Sequence, residues 1–338
     1  MRAFARSAAA SRTTCSRRAA RRESRDASRR RARTARIALF TRERTMAAQR
    51  RTVGFVGLGA MGAHMARHVH ARGMLHAVLN RSAEKARSLA RELGVDAVED
   101  ASELARDCDV IVTCVTADAD VIALCDAFAR ARRPGLVVVD TSTIAATSAM
   151  RAAAILRSAG GDLVDAPVSG GVEGARTGTL SVMAGGEAET LARATPVLEC
   201  FAARITHMGS VGAGQNTKAV NQVLVAGIAQ AVCEGLALGE ALGLPADKLI
   251  PTLQAGAAAC WFLDKRGATM LAGDYTPGFK LGLLVKDLHI VREMAVSAGV
   301  DHSVVDLSLE QYGRMMSEGR GDEDTSALIR VKRGSTDR

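Results

Sequence analysis

Short apolar runs alternate with amphipathic helical patterns from Thr52 onward. Runs of β-branched and other apolar residues predict buried strands, and the intervening stretches have the spacing of helices that bury one face. The predicted strands cover residues 53–56, 77–79, 109–115, 136–140, 163–164 and 180–182, with Ile205 near the end of the sheet. Strands separated by helices in this way typically form a parallel sheet. We therefore predict an α/β domain over residues 51–212.

The pattern changes after Gly214, where strand signals stop and helical patterns continue to the end of the chain. Breaks at residues 243–245 and 277–278 separate these helices. The stretch 219–242 is almost continuously apolar, which predicts a helix buried on most faces at a domain or subunit junction. We therefore predict an all-helical domain over residues 213–332, and a homo-oligomer (dimer or tetramer).

The formal net charge of +9 is concentrated in one segment. Residues 1–45 hold fifteen Arg and three acidic residues, a net charge of +12, so the remaining 293 residues carry −3. Three interpretations of this segment are open: a start codon assigned too early, with synthesis beginning at Met46; a transit peptide; or a basic arm. We favour the first. An acidic body with 3% aromatic residues offers little surface for nucleic acid, so we expect no such partner.

The remaining side chains predict no metal site, no disulfide and no membrane-spanning helix. The seven Cys form no C-x-x-C pair, which favours free thiols in a reducing compartment, and we expect a cytoplasmic protein. His64 and His68 are one helical turn apart without a Cys or carboxylate to complete a metal site. The longest uncharged apolar stretch is about 15 residues and contains amides, so we expect a core helix and no membrane span.

A glycine-rich turn follows the first predicted strand and opens a helix. In this context a G-x-G-x-x-G pattern is typical of dinucleotide binding, because its backbone N–H groups and the helix N-terminus receive the diphosphate. The predicted cofactor-binding residues are Gly57, Leu58, Gly59, Ala60, Met61 and Gly62.

The second predicted strand ends in Asn80, Arg81 and Ser82, where an NAD-binding domain normally has a carboxylate for the ribose diol. No acidic group repels a 2′-phosphate here, and Arg81 can pair with one. We expect these three residues to bind the cofactor and NADP to be preferred over NAD.

Three further segments carry a resemblance to a known family. They are Asp165-Ala166-Pro167-Val168-Ser169-Gly170-Gly171, the run from Gly212 to Gln222, and Pro277-Gly278-Phe279 with Lys286-Asp287-Leu288. Together with the glycine turn they resemble the β-hydroxyacid (3-hydroxyisobutyrate) dehydrogenase family, over roughly residues 51–330. The resemblance implies a Rossmann-type domain followed by an all-helical domain, as in 6-phosphogluconate dehydrogenase. It also implies interconversion of a small 3-hydroxy acid and its semialdehyde.

The resemblance makes Lys218 the catalytic acid/base, and the sequence around it supports that role. Lys218 is the only formal charge between Arg204 and Glu234, and burial in an apolar helix would lower its pKa toward the working range. Asn221 and Gln222 follow it by three and four residues on the same helix face. The family commonly holds the substrate with an Asn four residues after the Lys; here that position is Gln222, which leaves open which amide contacts substrate.

The remaining site residues are also implied by the resemblance. Ser169, Gly170 and Gly171 resemble a substrate-carboxylate loop, and a hydroxyl beside successive N–H groups suits an anion. Lys286 resembles a cofactor-contacting Lys, with Asp287 orienting it or Lys218. On the nicotinamide side lie Thr143 and the pair Val115-Thr116, where relatives often have Leu-Pro. Trp261 either lines the pocket or fills the core.

Rival functions are a glyoxylate or succinic semialdehyde reductase and, further away, a non-catalytic NADP-binding or nucleic-acid-associated protein. An imine reductase shares the architecture but typically replaces the catalytic Lys, which is present here as Lys218.

Overall fold

The computed structural model describes residues 52–334. Within that range nine strands form one sheet. They are β1 (Val53–Val56), β2 (Leu75–Leu79), β3 (Asp96–Ala97), β4 (Val110–Thr113), β5 (Val137–Asp140), β6 (Asp162–Asp165), β7 (Val168–Ser169), β8 (Leu180–Gly185) and β9 (Ala202–Gly209). Their order is β3-β2-β1-β4-β5-β6-β8-β7, and β9 pairs with β8. The chain moves outward from β1 in both directions, so the loop after β1 lies at the point where ligands bind in sheets of this kind.

Seven helices connect or follow the strands, and the remaining helices form a separate bundle. The first group is α1 (Gly62–Ala71), α2 (Ala83–Leu93), α3 (Ala101–Asp107), α4 (Asp118–Ala129), α5 (Ala146–Arg157), α6 (Gly171–Thr177) and α7 (Ala188–Leu198). The second is α8 (Ala213–Ala241), α9 (Ala246–Gln254), α10 (Trp261–Leu271), α11 (Leu281–Ala298), α12 (Ser303–Ser317), a 3₁₀ turn (Thr325–Leu328) and α13 (Ile329–Lys332).

The strands are buried because helices cover both faces of the sheet. Helices α1, α2 and α7 pack on one face, and α3, α4 and α5 pack on the other. Every residue of β1, β4 and β5 is buried. Strands buried on both faces read as continuous Val and Ile runs, which is why these were visible in the sequence.

The predicted fold class, a Rossmann-type domain followed by an all-helical domain, is confirmed. The sheet is not wholly parallel, however: β8 runs antiparallel to β6 and to β7. Strands β3 and β7 were not predicted, because each is two residues long and carries no periodicity of its own. The domain bounds 51–212 and 213–332 stay a prediction.

Helix α8 is the central element of the helical bundle. It spans 29 residues, longer than the apolar stretch that the sequence suggested, and by length and composition alone it could cross a membrane. In this structure it packs against α10, α11, α12 and α13, and it buries polar side chains, among them Gln222 and Gln230. These buried amides and neighbours are those of a core helix.

The carboxylate of Asp165, the last residue of β6, fixes the start of α8. The N–H of Gly212 donates to its Oδ1 at 2.8 Å, and the N–H of Gln215 donates to its Oδ2 at 2.9 Å. A Cβ on Gly214 would lie 2.5 Å from the Asp165 carbonyl oxygen, so the helix sits directly on the strand end. Burial raises the pKa of Asp165, and these backbone donors oppose the rise. The sheet thereby sets the position of everything on the first turns of α8.

Replacing Asp165 by Asn should therefore destabilise the fold. An amide turns one of the two acceptors into a donor, which leaves one buried helix N–H without a partner, at a cost of about 2 kcal/mol. Urea denaturation should show a lower free energy of unfolding for Asp165→Asn. The matched control is Asp162→Asn at the start of the same strand. Asp162 is half-buried, and its one ion pair in the described residues is a long contact of 4.0 Å with Arg157. Equal stabilities for the two variants would contradict the capping role.

Candidate active site

The turn after β1 has the shape that a dinucleotide diphosphate requires. Gly57 has φ +92°, and a Cβ there would lie 2.2 Å from the Cys114 carbonyl oxygen. A Cβ on Gly62 would lie 1.9 Å from the carbonyl oxygen of Gly57, so both positions exclude side chains. The middle glycine differs, since no heavy atom lies within 4 Å of a Cβ built on Gly59. The turn is therefore closed toward the protein and open at Gly59, which fits the close approach of a diphosphate.

The side chain of Asn80 links this turn to the end of β2 by hydrogen bonds. Its Oδ1 accepts the Leu58 N–H at 2.9 Å, and its Nδ2 donates to the Ser82 carbonyl at 3.1 Å. The side chain thus positions the glycine turn, whereas Arg81 and Ser82 are exposed at the rim.

A buried carboxylate organises the ends of β4 and β5. Asp140 Oδ1 accepts hydrogen bonds from the hydroxyls of Thr113 and Ser142, both at 2.7 Å, and the Ser142 hydroxyl in turn accepts the Val115 N–H at 2.9 Å. Burial raises the pKa of Asp140 to about 6, although these hydroxyl donors oppose the rise. This network holds the segment that contains Val115 and Thr116, two of the predicted nicotinamide-side residues.

Lys218 lies in the second turn of α8 and is buried, 7% exposed. Its Nζ donates to the Val168 carbonyl at 2.9 Å, and Val168 immediately precedes the predicted carboxylate loop, Ser169-Gly170-Gly171. Burial lowers the pKa of Lys218 to about 8; the negative charge of Asp287 opposes this, and the positive charge of Lys286 adds to it. With such a pKa, the ammonium can give a proton and the neutral amine can take one at a pH near neutrality.

The groups beside Lys218 form a chain of polar contacts across two helices. Gln222 Nε2 donates to Asp287 Oδ2 at 2.7 Å, and Asn221 Nδ2 donates to Gln222 Oε1 at 2.8 Å. Asp287 is buried and also pairs with Lys286, whose Nζ is 2.9 Å from Asp287 Oδ1. Asp287 therefore pairs with Lys286 and orients Gln222.

Lys286 reaches across to the sheet, where its Nζ donates to the carbonyl of Thr143, another predicted nicotinamide-side residue. Lys218 makes the corresponding contact with Val168. Two lysines from the helical bundle thus donate to backbone carbonyls of the sheet domain. These contacts bring together residues predicted separately for proton transfer, for the substrate carboxylate and for the nicotinamide side.

Comparison with known proteins agrees with this geometry. Residues 52–209 match the family model described as the NAD-binding domain of 6-phosphogluconate dehydrogenase. Residues 212–332 match the model described as the NAD-binding domain of NADP-dependent 3-hydroxyisobutyrate dehydrogenase. A protein of Mycobacterium tuberculosis named "Probable 3-hydroxyisobutyrate dehydrogenase" is 34% identical over 296 residues, covering 85% of this chain and 99% of its own. The chain belongs to the β-hydroxyacid dehydrogenase family.

Another relative and a solved structure agree with this assignment. The NAD-dependent L-serine dehydrogenase of Pseudomonas aeruginosa is 33% identical over 289 residues, covering 82% of this chain and 97% of its own. The solved structure of Mycobacterium tuberculosis 3-hydroxyisobutyrate dehydrogenase with L-serine superimposes with a TM-score of 0.77 at 32% identity, covering 84% and 99% of the two chains. This chain is an NAD(P)-dependent hydroxyacid dehydrogenase.

Some residues that build the site of this dehydrogenase were not singled out from the sequence. Asp140 and Ser142 precede Thr143, and Asp165 heads the motif that contains the carboxylate loop, so proximity to a motif was the only signal. Gln215 joins α8 to the sheet, because its Nε2 donates to the Ser142 carbonyl at 2.8 Å. The half-exposed ring of Trp261 does not fill the core; the guanidinium of Arg266 lies 5.6 Å from its centroid.

Residues 52–334 contain neither a cluster of metal ligands nor a disulfide. No group of three or more His, Cys, Asp and Glu side chains there is arranged to hold a metal ion. The six cysteines of that range are free thiols.

Proposed function

We propose that this dehydrogenase interconverts a small 3-hydroxy acid and its semialdehyde, with Lys218 as the general acid/base. The alternative within the same chemistry is a glyoxylate or succinic semialdehyde reductase. The observation that carries the proposal is the buried Lys218, whose Nζ contacts the residue preceding Ser169. A proton donor thereby adjoins a loop suited to a carboxylate, which is the arrangement that a carboxylated aldehyde needs.

The proton chemistry follows from the environment of Lys218. When bound, the reduced nicotinamide supplies a hydride to the carbonyl carbon of the substrate. The carbonyl oxygen then becomes an alkoxide that requires a proton, and Lys218 Nζ holds one within the cleft. In the oxidative direction the same nitrogen accepts the hydroxyl proton. A pKa of about 8 allows both directions near neutral pH.

We assign substrate binding to two groups, the carboxylate loop and one side-chain amide of α8. The half-exposed Ser169, Gly170 and Gly171 offer a hydroxyl and backbone N–H groups to a carboxylate. Both ends of the Gln222 amide are engaged within the protein, by Asp287 and by Asn221. This favours Asn221 as the amide that contacts substrate, with Gln222 holding it in place.

We propose NADP as the preferred cofactor and NAD as the alternative. The descriptions of related proteins name both cofactors. The family model that matches residues 212–332 is described by an NADP-dependent dehydrogenase, whereas the Pseudomonas relative is named as NAD-dependent. The exposed Arg81 at the rim, without an acid at the end of β2, supports a 2′-phosphate at that position.

We also propose a homo-oligomer, a dimer or a tetramer. Three apolar side chains spaced one turn apart on α8, Val220, Leu224 and Ile228, remain exposed on the single chain. Light scattering that gives the mass of one chain would contradict this part of the proposal.

A cytoplasmic location stays a prediction.

The function is tested by nicotinamide oxidation across short aldehydes. The panel contains tartronate, methylmalonate and succinic semialdehydes and glyoxylate, with L-serine oxidation included because relatives are named with it. We expect turnover of at least one compound, and loss of about 10²–10⁴-fold in kcat for Lys218→Ala with cofactor binding intact. The matched control is Lys248→Ala, an exposed lysine in the same bundle that should keep full turnover.

Two results would contradict the proposal in different ways. An inactive wild type that still binds NADPH would exclude the proposed substrates. An active wild type with an equally active Lys218→Ala variant would show that another group supplies the proton.

Cofactor preference is tested by reversing the charge at Arg81. Arg81→Asp should lower the ratio of NADPH to NADH efficiency by at least about tenfold, because one charge-assisted contact to the phosphate is lost and an anion now repels it. The control is Arg91→Asp, an exposed arginine at the far end of α2. Identical NADPH to NADH ratios in wild type and Arg81→Asp would remove Arg81 from the cofactor site.

A further inference from the structure

The proposed carboxylate loop is held at both ends by the helical bundle. Before the loop, Lys218 donates to the carbonyl of Val168. After the loop, the N–H of Val172 donates to the carbonyl of Gly278 at 3.2 Å. The second contact is tight, since a Cβ on Gly171, which has φ +62°, would lie 3.1 Å from that same carbonyl oxygen. The position of Gly278 therefore limits where the loop can lie.

Gly278 is itself held by a buried carboxylate. Asp324, 1% exposed, accepts the N–H groups of Gly278 at 2.8 Å and Phe279 at 3.1 Å on Oδ2. Its Oδ1 accepts the Ser326 N–H at 3.0 Å. Charge-assisted hydrogen bonds of this kind are short and directional, so the Gly278 carbonyl has little freedom.

Arg266 completes the arrangement from α10. Its Nε lies 3.4 Å from Asp324 Oδ1, an ion pair in which the Arg266 side chain is 17% exposed. The guanidinium also lies against Gly278: a Cβ built there would be 1.7 Å from Arg266 Nη2. Arg266 thus neutralises the buried carboxylate and occupies the space beside the segment that contacts the loop.

We propose that Arg266 and Asp324 are positioning residues for recognition of the substrate carboxylate. They act through Gly278: they fix its position, and Gly278 in turn fixes the loop Ser169-Gly170-Gly171. The inference rests on the proposed function, in which that loop binds the carboxylate. A loop displaced by about 1 Å would make poorly aligned hydrogen bonds to the carboxylate. Substrate binding would weaken, and the KM would rise.

The test is a steady-state comparison on the best aldehyde of the panel. Arg266→Ala should raise the KM for that aldehyde at least tenfold with a smaller change in kcat, and should leave the Kd of NADPH unchanged. Arg266→Lys, which keeps the charge beside Asp324, should recover part of the loss. The matched control is Arg292→Ala, which removes the exposed ion pair with Asp306 (2.7 Å) in the same bundle and should keep the wild-type KM.

A second variant tests the contact at Gly278 directly. Gly278→Ala alone should raise the KM, because its methyl group collides with the Arg266 guanidinium. In the Arg266→Ala background the same change should add little, since the colliding group is gone. Independent effects that multiply in the double variant would contradict the proposed contact.

The outcomes separate this inference from the proposed function. An inactive wild type across the panel overturns the proposed function and this inference with it. An active wild type whose Arg266→Ala variant has the same KM as Arg292→Ala overturns the inference alone. If Arg266→Ala fails to fold in a thermal melt, Arg266→Lys and Gly278→Ala decide, and unchanged KM in both also overturns it.

Discussion

A buried carboxylate at the end of β6 joins the two halves of this dehydrogenase. Asp165 accepts hydrogen bonds from N–H groups at the start of α8, and Gly214 has no room for a side chain against that strand. Negative charge at a helix N-terminus is favourable, and burial makes the geometry strict because water cannot replace a lost partner. The direction of α8 is thus set by the sheet. Since Lys218 and Gln222 lie on the first turns of α8, their places in the cleft follow from the same contact.

The pKa of Lys218 depends on how little water reaches its ammonium group. A buried ammonium loses hydration, and here one carbonyl and the nearby Asp287 replace part of it. The balance is incomplete: burial lowers the pKa of Lys218 to about 8, and the positive charge of Lys286 adds a smaller lowering. Asp287 has two tasks in this arrangement: it limits how far that pKa falls, and it orients Gln222.

The sequence predicted the parts of the molecule whose cause is local. The strands β1, β4 and β5 are buried on both faces and therefore appear as uninterrupted apolar runs. The glycine turn was visible because Gly57 and Gly62 each meet a backbone carbonyl where a side chain would be. Lys218 stood out as a lone charge in an apolar stretch.

Contacts between residues far apart in the chain could not be predicted in this way. Asp165 and Gly212 are 47 residues apart, and Gln222 and Asp287 are 65 apart, so neither pair leaves a periodic signal. The roles of Asp140 and Asp324 depend on which backbone N–H or hydroxyl groups the fold brings to them. The antiparallel β7 was missed for the same reason, because its pairing with β8 and not its composition makes it a strand.

The central claim, that Lys218 supplies the proton, is tested most directly by the pH dependence of kcat/KM for aldehyde reduction in wild type and Asp287→Asn. Reduction needs the protonated amine, so the wild-type value should fall above a pKa near 8. Removing the negative charge of Asp287 lowers the pKa of Lys218 further, so the fall should move to lower pH. Asp306→Asn, at an exposed carboxylate, should leave the profile unchanged. A profile in Asp287→Asn that matches the wild type, or that moves to higher pH, would contradict the assignment of Lys218.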